Sequence, residues 1–102
     1  MRKIDLTDYI VEVEGGKQIP YHVKDSIDVA LFHPDLKLNS YGLMQNNKVA
    51  QKIKSAHDSI LLEETEYQNL RKSVESINGF LKQDIEFVRR VLEAPEVQVK
   101  EG

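Results

Sequence analysis

The three histidines of the 102-residue chain are the side chains best suited to acid–base chemistry or metal binding, because imidazole titrates near neutral pH. Each has an aspartate within three residues, in the pairs His22 with Asp25, His33 with Asp35 and His57 with Asp58. None of these spacings matches a metal or catalytic motif, such as two histidines four residues apart on a helix. Histidine beside aspartate is typical of turns. An enzyme of this kind would require the histidines to converge in one pocket.

Other catalytic motifs are absent from the sequence. The Gly15-Gly16 pair lacks the upstream glycine of a phosphate-binding loop, and Gln18 stands where serine or threonine would bind magnesium. Neither Ser40 nor Ser59 lies in the glycine-flanked turn that presents a nucleophilic serine. The chain has no cysteine, which excludes thiolate catalysis, disulfides and cysteine-type zinc sites. We therefore expect a non-enzymatic protein with no catalytic residues, no metal and no cofactor.

Lysine and arginine form the second group of candidate functional residues, and they are unevenly distributed. Residues 36–57 carry four lysines and no acidic residue, whereas residues 1–35 have a net charge of −3 and residues 58–102 a net charge of −4. A basic segment between acidic ones can attract nucleic acid, or it can complement acidic surfaces of its own neighbours or of a second copy of the chain. The self-complementary interpretations are favoured.

The candidate interaction surface combines lysines of this basic segment with basic pairs on later helices: Lys48, Lys52, Lys54, Arg71, Lys72, Arg89 and Arg90. Glu86 lies four residues before Arg90, so pairing within the helix accounts for part of this charge. The same holds for Arg71 and Glu75. Single-stranded nucleic acid would also require aromatic residues among the cations, and the basic segment offers only Tyr41. Nucleic-acid binding is therefore the alternative to binding of a protein partner.

Alternating apolar and polar residues predict a β-hairpin from residues 9–14 and 18–23. With a three-residue loop, Val11 lies opposite Ile19 and the apolar side chains of both strands share one face. A two-residue loop would instead put the two apolar sets on opposite faces. Pro20 has no N–H group, so its strand is expected at an edge of the sheet.

Two further short elements are predicted around the hairpin. Residues 2–6 are predicted as an additional strand before it. A short helix follows it, capped by Asp25 or Ser26, and must end before Pro34 because proline disfavours helical geometry in the residue that precedes it.

A longer helix is predicted from a cap at Asn39 or Ser40. Its inward-facing residues are expected to be Leu43, Met44, Ala50, Ile53 and Ala56. Asn46-Asn47 weaken this helix and could divide it, because asparagine competes for backbone hydrogen bonds.

The second half of the chain is predicted to contain a buried strand at residues 60–62 and a helix that begins with acidic residues. The buried stripe of that helix consists of Tyr67, Leu70, Val74 and Ile77. Gly79 is expected to end it as a left-handed cap.

A last helix is predicted from a cap at Asp84 to a stop before Pro95. Its inward-facing residues are expected to be Ile85, Val88, Val91 and Leu92. Residues 96–100 alternate like a strand, which could pair within the domain or add to the sheet of another chain. The candidate strand-edge contacts are Pro20, Val97 and Val99.

Two segments of the C-terminal half, residues 60–70 and 88–97, resemble small uncharacterised proteins encoded in phages and prophages. The resemblance implies a small accessory protein, either a virion-associated part or a factor that binds and inhibits a host or phage enzyme. It implies no catalytic residue.

The length and composition predict one α+β domain over residues 1–102, with an N-terminal hairpin, three main helices and a short C-terminal strand around one core. No apolar run approaches the roughly 20 residues that cross a bilayer. We therefore expect a cytoplasmic protein without membrane contact. Its function is predicted to be protein interaction, with a second copy of the chain or another protein as partner.

Overall fold

Two small antiparallel sheets and four α-helices make up residues 1–98, the part of the chain that the computed structural model describes. In chain order the elements are β1 (Arg2–Asp5), β2 (Tyr9–Val13), β3 (Lys17–Tyr21), α1 (Val23–Leu31), α2 (Ser40–Ser55), β4 (Ser59–Leu62), α3 (Glu64–Glu75) and α4 (Ile85–Leu92). Short 3-10 segments occupy Glu14–Gly16, Pro34–Leu36 and Lys82–Asp84. The predicted α+β class, with its hairpin near the N-terminus, is confirmed.

The hairpin of β2 and β3 has the register that the apolar alternation predicts. Its cross-strand pairs include Tyr9 with Tyr21, Val11 with Ile19 and Val13 with Lys17. The three-residue loop contains two glycines with positive φ, 83° at Gly15 and 75° at Gly16. Glycine adopts these angles without the Cβ clash that other residues meet. The rings of Tyr9 and Tyr21 stack on one face, with 4.6 Å between their centroids.

The other sheet places β1 between β4 and the C-terminal tail. Arg2 pairs with Leu62 of β4 on one side and forms an isolated bridge with Glu96 on the other. The N–H of Val97 donates to the carbonyl oxygen of Met1 at 2.7 Å, so the tail pairs within its own chain as far as this residue. The strand predicted at residues 96–100 is therefore reduced to a single bridge in the described residues. Val99 lies outside them.

One hydrophobic core joins the sheets and the helices, as predicted. Its largest fully buried side chains come from β1, β4, α1, α3 and α4: Ile4, Leu62, Ile27, Leu31, Tyr67, Leu70 and Phe87. Tyr67 is compatible with this position because its hydroxyl donates to the carbonyl oxygen of Val91 at 2.6 Å. Among residues 1–98 no helix combines the length and the apolar character needed to cross a membrane.

The start of α1 differs from its prediction. The helix begins at Val23, so the predicted capping by Asp25 or Ser26 is wrong. Oδ1 of Asp8 accepts the N–H of Val23 at 3.1 Å and thereby caps the helix from the turn that precedes β2. The cap of α2 is confirmed at Asn39, whose side chain accepts a backbone N–H three residues further on.

α2 is one continuous helix, so Asn46-Asn47 do not divide it. Its buried face is rotated from the predicted one, because Leu43 and Met44 are 47% and 57% exposed. Asn46 occupies an inward position instead and is only 5% exposed. Burial is tolerated there because its amide nitrogen donates to the carbonyl oxygen of Leu31 at 2.8 Å.

The end of α3 also differs from its prediction. The helix ends at Glu75, so Gly79 is not its C-cap. The hydroxyl of Ser76 donates to the carbonyl oxygen of Lys72 at 2.7 Å and satisfies an acceptor at the helix end. Gly79 has a φ of 91° and turns the connection toward α4.

The inward face of α4 is formed by Phe87 and Val91, and the prediction that Ile85 faces the core is wrong. The hydroxyl of Tyr9 accepts the N–H of Phe87 at 3.1 Å, which ties the first turn of the helix to β2. This bond between distant parts of the chain fixes how α4 is rotated. Ile85 is consequently directed to the surface.

Candidate interaction site at the edge of β2

The hairpin is a two-stranded sheet that does not join the sheet of β1 and β4, so its two outer edges have no strand partner within residues 1–98. The two edges are not equivalent. Pro20 interrupts the row of N–H donors on β3, whereas β2 contains no proline. The outer edge of β2 is therefore the better template for a further strand.

A groove of about 720 Å³ lies along β2. All five residues of β2 line it, no residue of β3 does, and its other wall is formed by Lys82, Gln83, Ile85 and Glu86. The groove therefore runs between the free edge of β2 and the start of α4. An arrangement of strand edge and helix is one in which proteins bind extended peptide segments by strand addition.

The wall opposite β2 is held in place by the hydroxyl of Tyr9. It donates to the carbonyl oxygen of Gln83 at 3.0 Å and accepts the N–H of Phe87 at 3.1 Å. Burial raises the pKa of Tyr9 above its ordinary value, so the hydroxyl keeps its proton and its donor role at neutral pH. The groove is thus defined by hydrogen bonds and is preformed in the single chain.

Three large aliphatic side chains are exposed beside this groove. Ile10 is 63% exposed on β2, Ile85 is 63% exposed on α4, and Leu81 is 61% exposed in the segment that leads into the second wall. Clustered apolar side chains on a surface mark interaction sites more often than scattered ones do. The groove therefore combines unpaired backbone groups with apolar surface, the two features that strand addition requires.

The predicted strand-edge residues are placed differently from one another. Pro20 is exposed and lies directly opposite Ile10 in the hairpin. Because proline has no N–H to give to the ladder, this pair is one whose backbone groups face outward, and the N–H of Ile10 faces the groove. Val97 is paired with Met1, so it is not available as a free edge.

Four residues of the predicted basic surface pair with carboxylates of the same chain. The cations are Lys52, Arg71, Arg89 and Arg90, and their partners are Glu66, Glu75 and Glu86. Hydrogen bonding from Arg89 and then from Arg90 holds the pKa of Glu86 below its ordinary value, although burial opposes this effect. Lys48, Lys54 and Lys72 are exposed. The seven cations lie on three helices, and much of their charge is internally neutralised.

Arg90 is less available than its position beside Arg89 predicts. Its side chain is 13% exposed, and its guanidinium donates to the carbonyl oxygen of Thr7 at 2.6 Å. The same group lies 5.1 Å from the centre of the Tyr9 ring. Arg90 therefore fastens α4 to the turn between β1 and β2 and is not part of an exposed basic surface.

His22 and His57 line one open groove of about 460 Å³, whereas His33 lines a different pocket. The Nδ1 atom of His22 lies 2.9 Å from Oδ2 of Asp8, so its carboxylate partner is Asp8 and not Asp25, the aspartate near it in sequence. His33 makes the predicted turn contact, since its Nδ1 accepts the N–H of Asp35 at 3.1 Å.

In the groove lined by His22 and His57, Asp8 forms a helix cap with its contacts to His22 and to the N–H of Val23. The hydrogen bond with His22 and then that from the N–H of Val23 hold the pKa of Asp8 below its ordinary value. Both side chains of the His22 and Asp8 pair are at least half exposed. Among residues 1–98 no group of three or more histidine, aspartate or glutamate side chains is arranged to hold a metal ion. The arrangement therefore explains the start of α1.

Comparisons with protein-family models, with curated proteins and with solved structures return no match. The inference of function therefore depends on the geometry of this chain. The sequence patterns did not predict three residues of this site, namely Ile10, Leu81 and Ile85. The signal for Ile10 was present, because the confirmed register puts it on the face opposite to Val11.

Proposed function

We propose that this protein is a non-enzymatic protein-interaction module that self-associates by pairing the free edges of β2 in two copies. The observation that supports the proposal is the preformed groove along β2, with Ile10 and Ile85 each 63% exposed beside it. A two-fold pair would turn two hairpins into one four-stranded antiparallel sheet. Isologous contacts of this kind are the commonest arrangement in small homodimers.

The sequence of β2 is suited to an antiparallel pair centred on Val11. In that register Ile10 of each copy lies opposite Glu12 of the other, and both residues direct backbone groups outward. Glutamates do not face each other, which avoids the repulsion of directly opposed like charges. The apolar side chain of Ile10 then packs over the stem of Glu12, whose carboxylate remains in water.

The expected affinity is modest. Complete burial of an exposed aliphatic side chain contributes about 1.5–3 kcal/mol, whereas association costs about 4–15 kcal/mol in lost freedom. Six partly exposed aliphatic side chains from two copies, together with the new backbone hydrogen bonds, are comparable with that cost. The surplus over this cost is therefore small, and we expect the dimer to form at tens of micromolar, which corresponds to an affinity of about −6 to −7 kcal/mol.

Sedimentation equilibrium at tens of micromolar tests the proposal directly. The dimer should persist at moderate salt, because its contacts are apolar packing and backbone hydrogen bonds. Added nucleic acid should leave the measured mass unchanged. Ile10→Lys should give a monomer, since it places a charge in the contact. Val29→Lys is the matched control, because Val29 is equally exposed at 63% but lies on α1. A wild-type monomer at this concentration contradicts self-association.

A second variant distinguishes strand pairing from non-specific association of apolar surfaces. Glu12→Pro removes an N–H that faces the groove and leaves the bonds between β2 and β3 in place. It should abolish the dimer, whereas Glu12→Ala should retain it. Equal masses for the two variants would contradict pairing through the β2 edge.

The biological setting that we propose is that of a phage-type accessory protein in the cytoplasm. The resemblance carried by residues 60–70 and 88–97 supports this setting, as does a sequence without cysteine, which suits a reducing compartment. Such a protein could be associated with the virion or could inhibit a host or phage factor. Copurification of the tagged protein with virions, compared with the soluble fraction of infected cells, distinguishes the two roles.

A further inference from the structure

A second cleft, separate from the β2 groove, lies where the start of α2 meets the C-terminal half of α3. Its volume is about 340 Å³, which falls at the small end of the range for small-molecule sites, about 300–1,000 Å³. Its walls combine the apolar side chains of Leu36 and Leu38 with amide and hydroxyl groups. This combination of apolar walls and a few polar groups is typical of ligand pockets.

The amide of Asn46 is a buried polar group in this cleft, next to the equally buried Ser73. Asn46 is 5% exposed, and its Nδ2 donates to the carbonyl oxygen of Leu31 at 2.8 Å and to Oγ of Ser73 at 3.2 Å. A carbonyl oxygen can only accept, so the nitrogen must face Leu31 and the amide oxygen must face away from it. These two bonds use both donors of the Asn46 amide nitrogen but supply no donor to its amide oxygen.

The Oδ1 atom of Asn46 is an acceptor without a donor among residues 1–98. Those residues nevertheless contain no fully buried side-chain atom that lacks a hydrogen-bond partner. Oδ1 of Asn46 is therefore not fully buried, and the cleft is the pocket that Asn46 lines. A ligand that presents an N–H or O–H group at the base of the cleft would satisfy it.

The charge of the cleft defines the second requirement on a ligand. Lys37 and Lys72 both line it, and none of its described lining residues is acidic. In a chain with a net charge of −3, a cleft that has cations alone favours an anionic group. Neither lysine belongs to the pairs with carboxylates described above.

An exposed aromatic ring supplies the third requirement. Tyr41 lines the same cleft, and it is 72% exposed. A tyrosine ring in this position offers a flat apolar face, on which a nucleic-acid base can stack without sequence preference. Tyr41 is the single aromatic residue of the basic segment, residues 36–57, and its side chain does not belong to the core.

We propose that this cleft binds a mononucleotide, with the base against Tyr41, a donor of the base or sugar on Oδ1 of Asn46, and the phosphate near Lys37 and Lys72. Inorganic phosphate would use the lysines but would leave the ring of Tyr41 unused. A nucleoside would use the acceptor and the ring but not the lysines. A mononucleotide satisfies all three requirements, and this site is independent of self-association through β2.

Titration of the full chain, followed by nitrogen–proton correlation spectra, tests the site with defined probes: AMP, CMP, adenosine, ribose 5-phosphate and inorganic phosphate at millimolar concentration. The nucleotides should shift the side-chain amide signals of Asn46 and the backbone signals around it, with higher affinity than any other probe. Lys72→Gln should weaken nucleotide binding about five- to tenfold, which is within the range for loss of one hydrogen bond at an exposed position. Lys48→Gln, which changes an exposed lysine of α2 that does not line the cleft, is the matched control and should leave binding unchanged.

Tyr41→Ala tests the ring separately and, because Tyr41 is highly exposed, should leave the fold intact. It should weaken AMP binding while leaving binding of ribose 5-phosphate unchanged. The proposal is overturned if neither nucleotide shifts these signals, if Lys72→Gln and Lys48→Gln behave alike, or if inorganic phosphate binds as tightly as AMP.

Discussion

The hydroxyl of Tyr21 donates a 2.5 Å hydrogen bond to Oδ1 of Asp84, which joins the end of β3 to the residue before α4. The other carboxylate oxygen of Asp84 accepts the N–H of Leu81 at 2.8 Å. Burial, followed by this bond to a carboxylate, raises the pKa of Tyr21 far above its ordinary value. The contact therefore connects the hairpin to the helical part of the molecule over 63 residues of sequence.

Tyr21→Phe should lower the free energy of unfolding by about 1.5–3 kcal/mol, the range for hydrogen bonds to charged groups. The loss arises because Oδ1 of Asp84 no longer has the hydroxyl of Tyr21 as its donor. Urea denaturation measures it, with Tyr41→Phe as control because the Tyr41 side chain is exposed. Equal stability of wild type and Tyr21→Phe would show that the contact does not stabilise the fold.

Asp8→Asn should lower the free energy of unfolding at neutral pH, and the difference from wild type should vanish in acid. The pKa of Asp8 is lowered in the folded state from its ordinary value of 3.8, so the folded protein favours the ionised carboxylate. The resulting stability is present above pH 3.8 and disappears as the pH falls below it. Denaturation of wild type and variant between pH 7 and about pH 2 should therefore give converging curves.

The control for this pH dependence is Asp28→Asn, which changes an exposed carboxylate on α1, the helix that Asp8 caps. Its difference from wild type should be small and should not follow the Asp8 profile. A difference between wild type and Asp8→Asn that stays constant down to the lowest pH would contradict the capping role of the charge.

The neighbouring arginines of α4 should respond very differently to truncation. Arg90→Ala should cost about 1.5–3 kcal/mol, because the carbonyl oxygen of Thr7 loses a charged donor and the ring of Tyr9 is uncovered. Arg89→Ala should have a much smaller effect, since its side chain is 56% exposed and its ion pairs lie at the surface. Thermal or urea unfolding of the two variants gives the comparison. A larger effect at Arg89 would refute the assignment of Arg90 to the fold.

Gly15→Ala should destabilise the hairpin by about 1–2 kcal/mol, the cost of left-handed backbone for a residue with a Cβ atom. Apart from the adjacent residues, no atom lies within 4 Å of the position that this Cβ would occupy, so the cost comes from the local backbone conformation and not from contacts with other parts of the chain. Gly15→Asn should recover part of the loss, because asparagine adopts positive φ more readily than alanine. The two variants are compared by denaturation, and identical stability of both would rule out backbone conformation as the cause.

The hairpin could be predicted in detail because its information is local. A period of two, a three-residue loop and two glycines allow one register that keeps Val11 and Ile19 on the same face. The cap at Asn39 and the short strand β4 were predictable for the same reason. The rotation of α2 was not, because the partner that allows Asn46 to be buried is a carbonyl oxygen on another helix.

The sequence by itself determined the α+β class, the hairpin register and the approximate places of the helices, since periodicity and turn residues act between neighbours in the chain. Only the tertiary structure decided that Asp8 caps α1, that Arg90 is fastened to Thr7, and that Ile85 is directed to the surface. These outcomes depend on contacts between residues that are far apart in sequence. The residue pattern of one helix does not show which distant backbone group will form a hydrogen bond with its side chains.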